Sequence, residues 1–330
     1  MQPKNSYPDL RNQFEQYLED TILEATQVYP LLQEMISYHF GWLEPKPSAG
    51  KRLRPIITLL SAELFSQSVS KAYPAAAALE VLHNYTLIHD DIEDNSPMRH
   101  GQPTLWKKFG IPQAINTGDF LISLAAIIIN NAKVGRPDLL LSTFLDSSLE
   151  VTKGQHEDIR FESLETISEK EYLDMISQKT AALFVAAMKL GAISVGANHT
   201  VIKLLGEIGY QYGIAYQMFD DHLGIWGDPG KTGKPAGIDL VEKKKSYPIL
   251  LAIQLDAGFA AKISGDSYVE ESCVAELINR MNQLGIRDLS KNRLKQHLQI
   301  ANENLHFLEV EHGLNVKKLA EYLNSLFPNK

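Results

Sequence analysis

Apolar residues recur at intervals of three and four through most of this chain, a period that lets an α-helix, but not a strand, bury them on one face. Phe14, Tyr17, Leu18 and Ile22 form one such stripe, and Leu79, Leu82 and Leu87 another, with Tyr85 and Ile88 on adjoining faces. Convincing period-two strands are absent, although Val201 to Phe219 and Phe120 to Ile129 could locally pass for strands. Breakers fall at Pro45 to Pro47 with Gly50, at Pro74, Pro97 to Pro103, Pro112, Gly135 to Pro137, Gly196 to Asn198 and Gly227 to Gly237. They divide the chain into about ten helical segments. A chain of 330 residues can form two ordinary domains or one large one. No repeat, low-complexity tract or flexible linker interrupts it, so one all-α domain over residues 1–330 is the economical expectation.

Composition narrows the function. A formal charge of -8 argues against nucleic-acid binding. Any anionic substrate must therefore be held by local cations or by metal. The single cysteine, Cys273, rules out an intramolecular disulfide and suits a reducing cytoplasm. Met1 to Leu10 is polar and lacks the apolar core of a signal peptide. The longest apolar run, Phe120 to Ile129, falls short of the roughly 18 residues of a spanning helix. A cytoplasmic protein without a transmembrane segment is the expectation.

Two acid pairs carry the chemistry: Asp90-Asp91-Ile92-Glu93-Asp94, and Asp220-Asp221 further along. Asp90 and Asp94 stand at i and i+4, with Cβ atoms about 5–6 Å apart on a helix, so their carboxylates can share a cation. Without one they repel. Ser96-Pro97 should end the helix there, and a helix C-terminus disfavours anions; the same objection applies to Asp220-Asp221 before Gly227-Asp228-Pro229. Fold stability does not ask for acids at these places. Both pairs are followed by cations: Arg99 in the first case, Lys231, Lys234 and Lys243 to Lys245 in the second. Mg²⁺ is commonly held by one or two carboxylates, several waters and substrate phosphates, so the pattern points to a magnesium-diphosphate enzyme.

The order Gly50-Lys51-Arg52-Leu53-Arg54-Pro55, His83, His89 to Asp94, Arg99-His100-Gly101-Gln102-Pro103-Thr104, Gln155, Asp158, Lys179-Thr180, Tyr216 to Asp221 and Gly233-Lys234-Pro235 resembles the trans-isoprenyl diphosphate synthases, the polyprenyl synthetase family. The likeness spans about residues 50 to 250. It implies the isoprenoid synthase fold, about ten or more helices around a deep central cavity, usually as a homodimer. It also implies head-to-tail condensation of an allylic diphosphate with isopentenyl diphosphate. By the same resemblance Asp90 and Asp94 hold two Mg²⁺ ions and Asp220 a third, while Arg99, Lys179 and Lys234 contact the allylic diphosphate. Lys51, Arg54 and His83 then take isopentenyl diphosphate, with His100, Gln155, Asp158, Asp221 and Lys244 among the further substrate-binding positions. Thr180 and Gln217 steady the early cation.

Two departures stand out. The second motif reads Asp220-Asp221-His222-Leu223-Gly224, with glycine where most members carry a third acid, and His100 replaces a common arginine. Because Asp220 is retained, the missing acid is expected to be an outer-sphere contact rather than a ligand. Tyr85, five residues before Asp90, lies about 7.5 Å back along a helix and is expected to floor the prenyl channel, with Thr86 beside it. One aromatic there, without an insertion in the first acid motif, looks most like the geranylgeranyl synthases, so a C20 product is expected ahead of C15. A terpene cyclase on the same scaffold and a non-catalytic partner subunit are the alternatives; retention of Lys51, Arg54 and His83 argues against the cyclase.

Overall fold

The prolines that interrupt the apolar stripes mark where helices begin, because the first turn needs no N–H donor and proline's fixed φ suits it. In the computed structural model, which describes residues 8–43, 50–232, 235–263 and 271–328, helices form nearly all of the chain. In order they are α1 (Pro8–Thr26), α2 (Pro30–Phe40), α3 (Leu53–Glu63), α4 (Tyr73–Glu93), α5 (Leu105–Phe109), α6 (Ile111–Asn130), α7 (Pro137–Glu162) and α8 (Glu169–Ile176). A π-helical turn, Ser177–Ala181, leads into α9 (Ala182–Ser194) and α10 (His199–Trp226). Then come α11 (Pro229–Thr232), α12 (Ile238–Val241), α13 (Tyr247–Leu255), α14 (Ala257–Ile263), α15 (Glu271–Gln283), α16 (Ile286–His312) and α17 (Lys317–Ser325). The two stretches that could pass for strands lie inside α10 and α6. Among the described residues the one sheet is a two-stranded ribbon, β1 (Met98–Arg99) against β2 (Gln102–Pro103). Its two turn residues, His100 and Gly101, have φ of 51° and 80°, the left-handed pair that a tight hairpin requires.

Two compact units partition the chain: one holds Asn5–Ser148 with Ala186–Lys203, the other Leu149–Val185 with Leu204–Lys330. In the first, α4 packs against α3 and α6, and its run of small residues, Ala75 to Ala78, is fully buried. Ser61 donates to the Met188 carbonyl at 2.7 Å, and a Cβ at Gly191 would lie 2.1 Å from the Thr58 carbonyl oxygen, so α3 and α9 nearly touch backbone to backbone. In the second unit Ile225, Leu240, Ile249, Phe259, Leu277, Met281 and Ile286 form one apolar cluster. Each such side chain contributes roughly 1.5–3 kcal/mol on burial.

Phe120 to Ile129 belongs to a longer apolar element than the sequence pattern suggests. The whole of α6 is, among the described residues, the one helix long and apolar enough to cross a membrane by length and composition. Its Ala114, Thr117, Gly118, Leu121 and Ala125 are buried, and it packs on α4 as a core helix does. Ile111, Ile115 and Ile127 remain exposed on it.

Candidate functional site

In the first unit, the Lys51 to Arg54 segment is held by its middle residue. Arg52 adopts a left-handed φ of 48° and buries a guanidinium that donates to both oxygens of Glu15 (2.7 and 2.8 Å), to Glu80 (3.1 Å) and to the Phe40 carbonyl. Trp42 donates to the same Glu15. A paired, fully bonded buried ion of this kind fixes geometry more than it adds stability. From that anchor Lys51 projects into solvent and Arg54 lies half-buried at the start of α3. His83, half-buried on α4, is held neutral: burial lowers it first, then the positive charges of Arg54 and Arg99. His39 is driven down to about 3 by burial and then by Arg99 and Arg52. Two uncharged imidazoles thus sit among arginines, leaving the positive charge of this cluster with the guanidinium groups.

The first acid motif closes α4. Asn95 takes a left-handed φ of 49°, its N–H donates to the Ile92 carbonyl, and the Ser96 N–H reaches back to Asp91 at 2.9 Å, a Schellman stop of the kind Asn permits. Asp90 and Asp94 therefore occupy the last turn, where unpaired carbonyls add negative charge and a cation is favoured. Asp91 points elsewhere. Its carboxylate is gripped by the Arg99 guanidinium at 2.8 to 3.1 Å, and burial raises its pKa against the opposing pull of Arg99. The His100-Gly101 turn sets that grip, since it places Arg99 on β1; His100 itself is exposed. Tyr85 is half-buried with its ring on His89, centroids 4.7 Å apart, while the Thr86 hydroxyl donates to the His83 carbonyl. His89 needs Gly118 of α6, because a Cβ there would come within 2.2 Å of the ring.

In the second unit, Lys179 and Thr180 sit on the π-helical turn, a local widening often found at functional sites. Lys179 is ion-paired with Asp158 of α7, one turn beyond the half-buried Gln155. Thr180 donates to Gln217 Oε1 at 2.7 Å, and Gln217 Nε2 donates to Asp221 Oδ1 at 2.9 Å. Asp221 is 1% exposed. It also accepts from the Tyr172 hydroxyl (2.7 Å) and the Tyr247 N–H (2.9 Å), with Lys244 Nζ at 3.9 Å. Its oxygens are filled by its own chain, so Asp221, expected among substrate-binding residues, organises Gln217 and Thr180 instead. Its neighbour Asp220 is exposed.

The helix-end objection does not hold for Asp220: α10 continues to Trp226, and the dipole effect fades within the last turn. Burial alone would lower Lys244, but Asp221, Asp239 and Asp220 raise it and keep it charged. Lys234 lies outside the described residues. Among the described residues no three His, Cys, Asp or Glu side chains converge as a ready-made metal cage. The donors are carboxylates suited to a hard cation that brings its own water and phosphate ligands.

Four residues important to these clusters went unmarked in the sequence reading. Arg52 lay inside a quoted motif; Gly154, Tyr172 and Asp239 carry no spacing signal. Only packing identifies them.

The model of the polyprenyl synthetase family matches residues 30–281. The geranylgeranyl diphosphate synthase of Sulfolobus acidocaldarius is 42% identical over 212 residues, covering 63% of this chain and 64% of that protein, under two thirds of its length. The geranylgeranyl pyrophosphate synthase of Geoglobus acetivorans is 35% identical over 279 residues, covering 84% of this chain and 86% of the relative. A crystal structure of a polyprenyl synthetase from Streptomyces coelicolor A3(2) superposes with a TM-score of 0.86 at 29% identity, covering 96% of each chain.

Proposed function

The chain belongs to the polyprenyl synthetase family, and from that premise we propose that it condenses isopentenyl diphosphate with an allylic diphosphate to give a short trans-isoprenyl diphosphate, geranylgeranyl diphosphate foremost and farnesyl diphosphate next. The observation that carries this reading is the separation of tasks within each acid pair. Asp91 and Asp221 are buried and bound by Arg99 and by Tyr172, Gln217 and Tyr247, while Asp90 and Asp94, at the C-terminal end of α4, and the exposed Asp220 would hold the ions, three Mg²⁺ in all. When bound, Mg²⁺ supplies Lewis-acid stabilisation of the leaving diphosphate.

The residues do the rest. Heterolysis of the allylic C1–O bond sends its electron pair to the diphosphate, whose charge Arg99, Lys179, Lys234 and Lys244 would offset, as the family resemblance implies. The cation left at C1 faces oxygen dipoles of Thr180 and Gln217, whose mutual hydrogen bond holds them in place. Lys51, Arg54 and neutral His83 hold the second diphosphate. The isopentenyl double bond attacks C1, a C–C bond forms, and the proton lost from the adjacent carbon passes to the released diphosphate. The chain acts as a single cytoplasmic domain and as a homodimer, a state supported by the exposed Ile111, Ile115 and Ile127 of α6.

The test is product sizing. Purified protein with Mg²⁺, isopentenyl diphosphate and each of the C5, C10 and C15 allylic primers should yield C20 product as the end point. No product from any primer would make the chain a non-catalytic partner subunit instead.

A further inference from the structure

The reaction scheme leaves His39 unused. It stands in the last turn of α2, which Gly41 closes at a φ of 76°. The next residue, Phe40, gives its carbonyl to Arg52 at 3.1 Å, so the end of α2 is fastened to the segment that carries Lys51 and Arg54. Asn84 of α4, 4% exposed, spends both of its side-chain N–H groups on Glu80, on the carbonyl at 2.8 Å and on Oε1 at 3.3 Å. Its side chain also hydrogen-bonds His39, and the atom left for that bond is Oδ1, an acceptor. His39 Nε2 is buried without a hydrogen-bond partner. By this network the donor to Asn84 is Nδ1, and in a neutral ring Nε2 is then a bare acceptor.

What faces that acceptor is positive charge. Burial first, then Arg99 and His100 from the ribbon and Arg52 from the segment before α3, hold the His39 ring neutral. His83 of α4 belongs to the same cluster, lowered by burial and then by Arg54, Arg99 and His39. The carboxylates of the cluster are already taken, Glu15 and Glu80 by Arg52 and Asp91 by Arg99. A buried acceptor without a donor is costly, and the cations around it attract an anion. A terminal phosphate that carries one proton satisfies both, its O–H donating to Nε2 and its remaining oxygens accepting from the guanidinium groups.

We propose that His39 is a further residue of the isopentenyl diphosphate subsite, sharing one proton between its Nε2 and an oxygen of the terminal phosphate. This rests on the prenyl-transfer reading above. A phosphate monoester loses its last proton near pH 6, so above that pH the shared proton comes from solvent and is taken up on binding. Arg99 keeps its grip on Asp91 at 2.8 to 3.1 Å, so its orientation toward the allylic diphosphate does not depend on His39.

The experiment titrates the full chain with isopentenyl diphosphate by calorimetry, above the phosphate pKa and in a pair of buffers of different ionisation enthalpy, which counts the protons taken up. Thermal melts and steady-state kinetics accompany it. The wild type should take up about one proton more per bound isopentenyl diphosphate than His39→Leu. His39→Leu should raise the KM for isopentenyl diphosphate by about ten- to a hundredfold, the worth of one hydrogen bond to a charged group, and change the allylic KM far less. His39→Gln, whose amide N–H needs no added proton, should recover most of that KM while its binding lacks the extra proton. Equal proton counts in the wild type and a folded His39→Leu would overturn the proposal, and continued prenyl transfer by both would leave the functional reading intact. A rise in both KM values alike would mark a packing residue and overturn it too. No binding of isopentenyl diphosphate by the wild type would sink the functional reading, and the proposal with it. Should neither variant fold, the wild type decides: net proton uptake supports the sharing, and net release overturns it.

Discussion

Neighbouring residues of one type have opposite duties here, and burial decides which. Asp90 and Asp221 illustrate it. Asp90→Ala should cut turnover by about a hundred- to a thousandfold, the scale of losing one preorganised electrostatic partner, with a melting temperature close to wild type. Asp221→Asn should lower both, because the carboxylate that orders Tyr172, Gln217 and Tyr247 is lost from a closed network. Equal stability losses in the two variants, measured by calorimetry, would contradict this division. Tyr85 is the residue proposed to set product length. It lies half-buried on α4 against His89, with burial first and then Asp119 raising its pKa. Tyr85→Ala should lengthen the products at similar total turnover; an unchanged chain length with a lowered melting temperature would make it a packing residue only.

At the scale of elements, the π-helical turn is held by glycines. A Cβ at Gly154 would meet the Lys179 backbone nitrogen at 2.2 Å, and Cβ atoms at Gly213 and Gly209 would press on Ala181 and Phe184 at 2.5 and 2.7 Å. Helices α7 and α10 thus approach the turn backbone to backbone, which is what sets Lys179 beside Asp158 and Thr180 beside Gln217. Gly154→Ala should cost about 1–3 kcal/mol from overpacking and also raise KM for the allylic substrate. Gly191→Ala, which collides with the Thr58 carbonyl away from the turn, should cost similar stability and leave that KM alone. Steady-state kinetics on both variants separates positioning from plain destabilisation.

For the whole molecule, buried histidines set the response to acid. His297 donates from Nδ1 to Gln211 at 2.7 Å, its Nε2 is buried without a partner, and burial followed by Arg293 lowers it to about 4; His39 falls to about 3. The unfolded chain protonates such groups near 6.5 and the folded one does not until lower pH, so stability is full above that value and falls as pH drops from about 6.5 to about 4. Melting temperatures across this window should decline, and His297→Gln should flatten part of the slope. Light scattering should give twice the monomer mass, and Ile115→Glu with Ile127→Glu on α6 should reduce it to one; a wild-type monomer would remove the proposed homodimer. The sequence by itself determined the helical fold, most helix starts, the end of α4 ahead of Ser96-Pro97 and the order of the acid and cation motifs, because helical period, proline chemistry and charge are local properties. Tertiary structure alone decided which acid of each pair faces solvent, why Arg52 matters more than its motif neighbours suggest, and that His39 of α2 joins the cluster of His83 and Arg99. Those depend on which atoms from distant positions come within a few ångströms of one another, and no spacing along the chain encodes that.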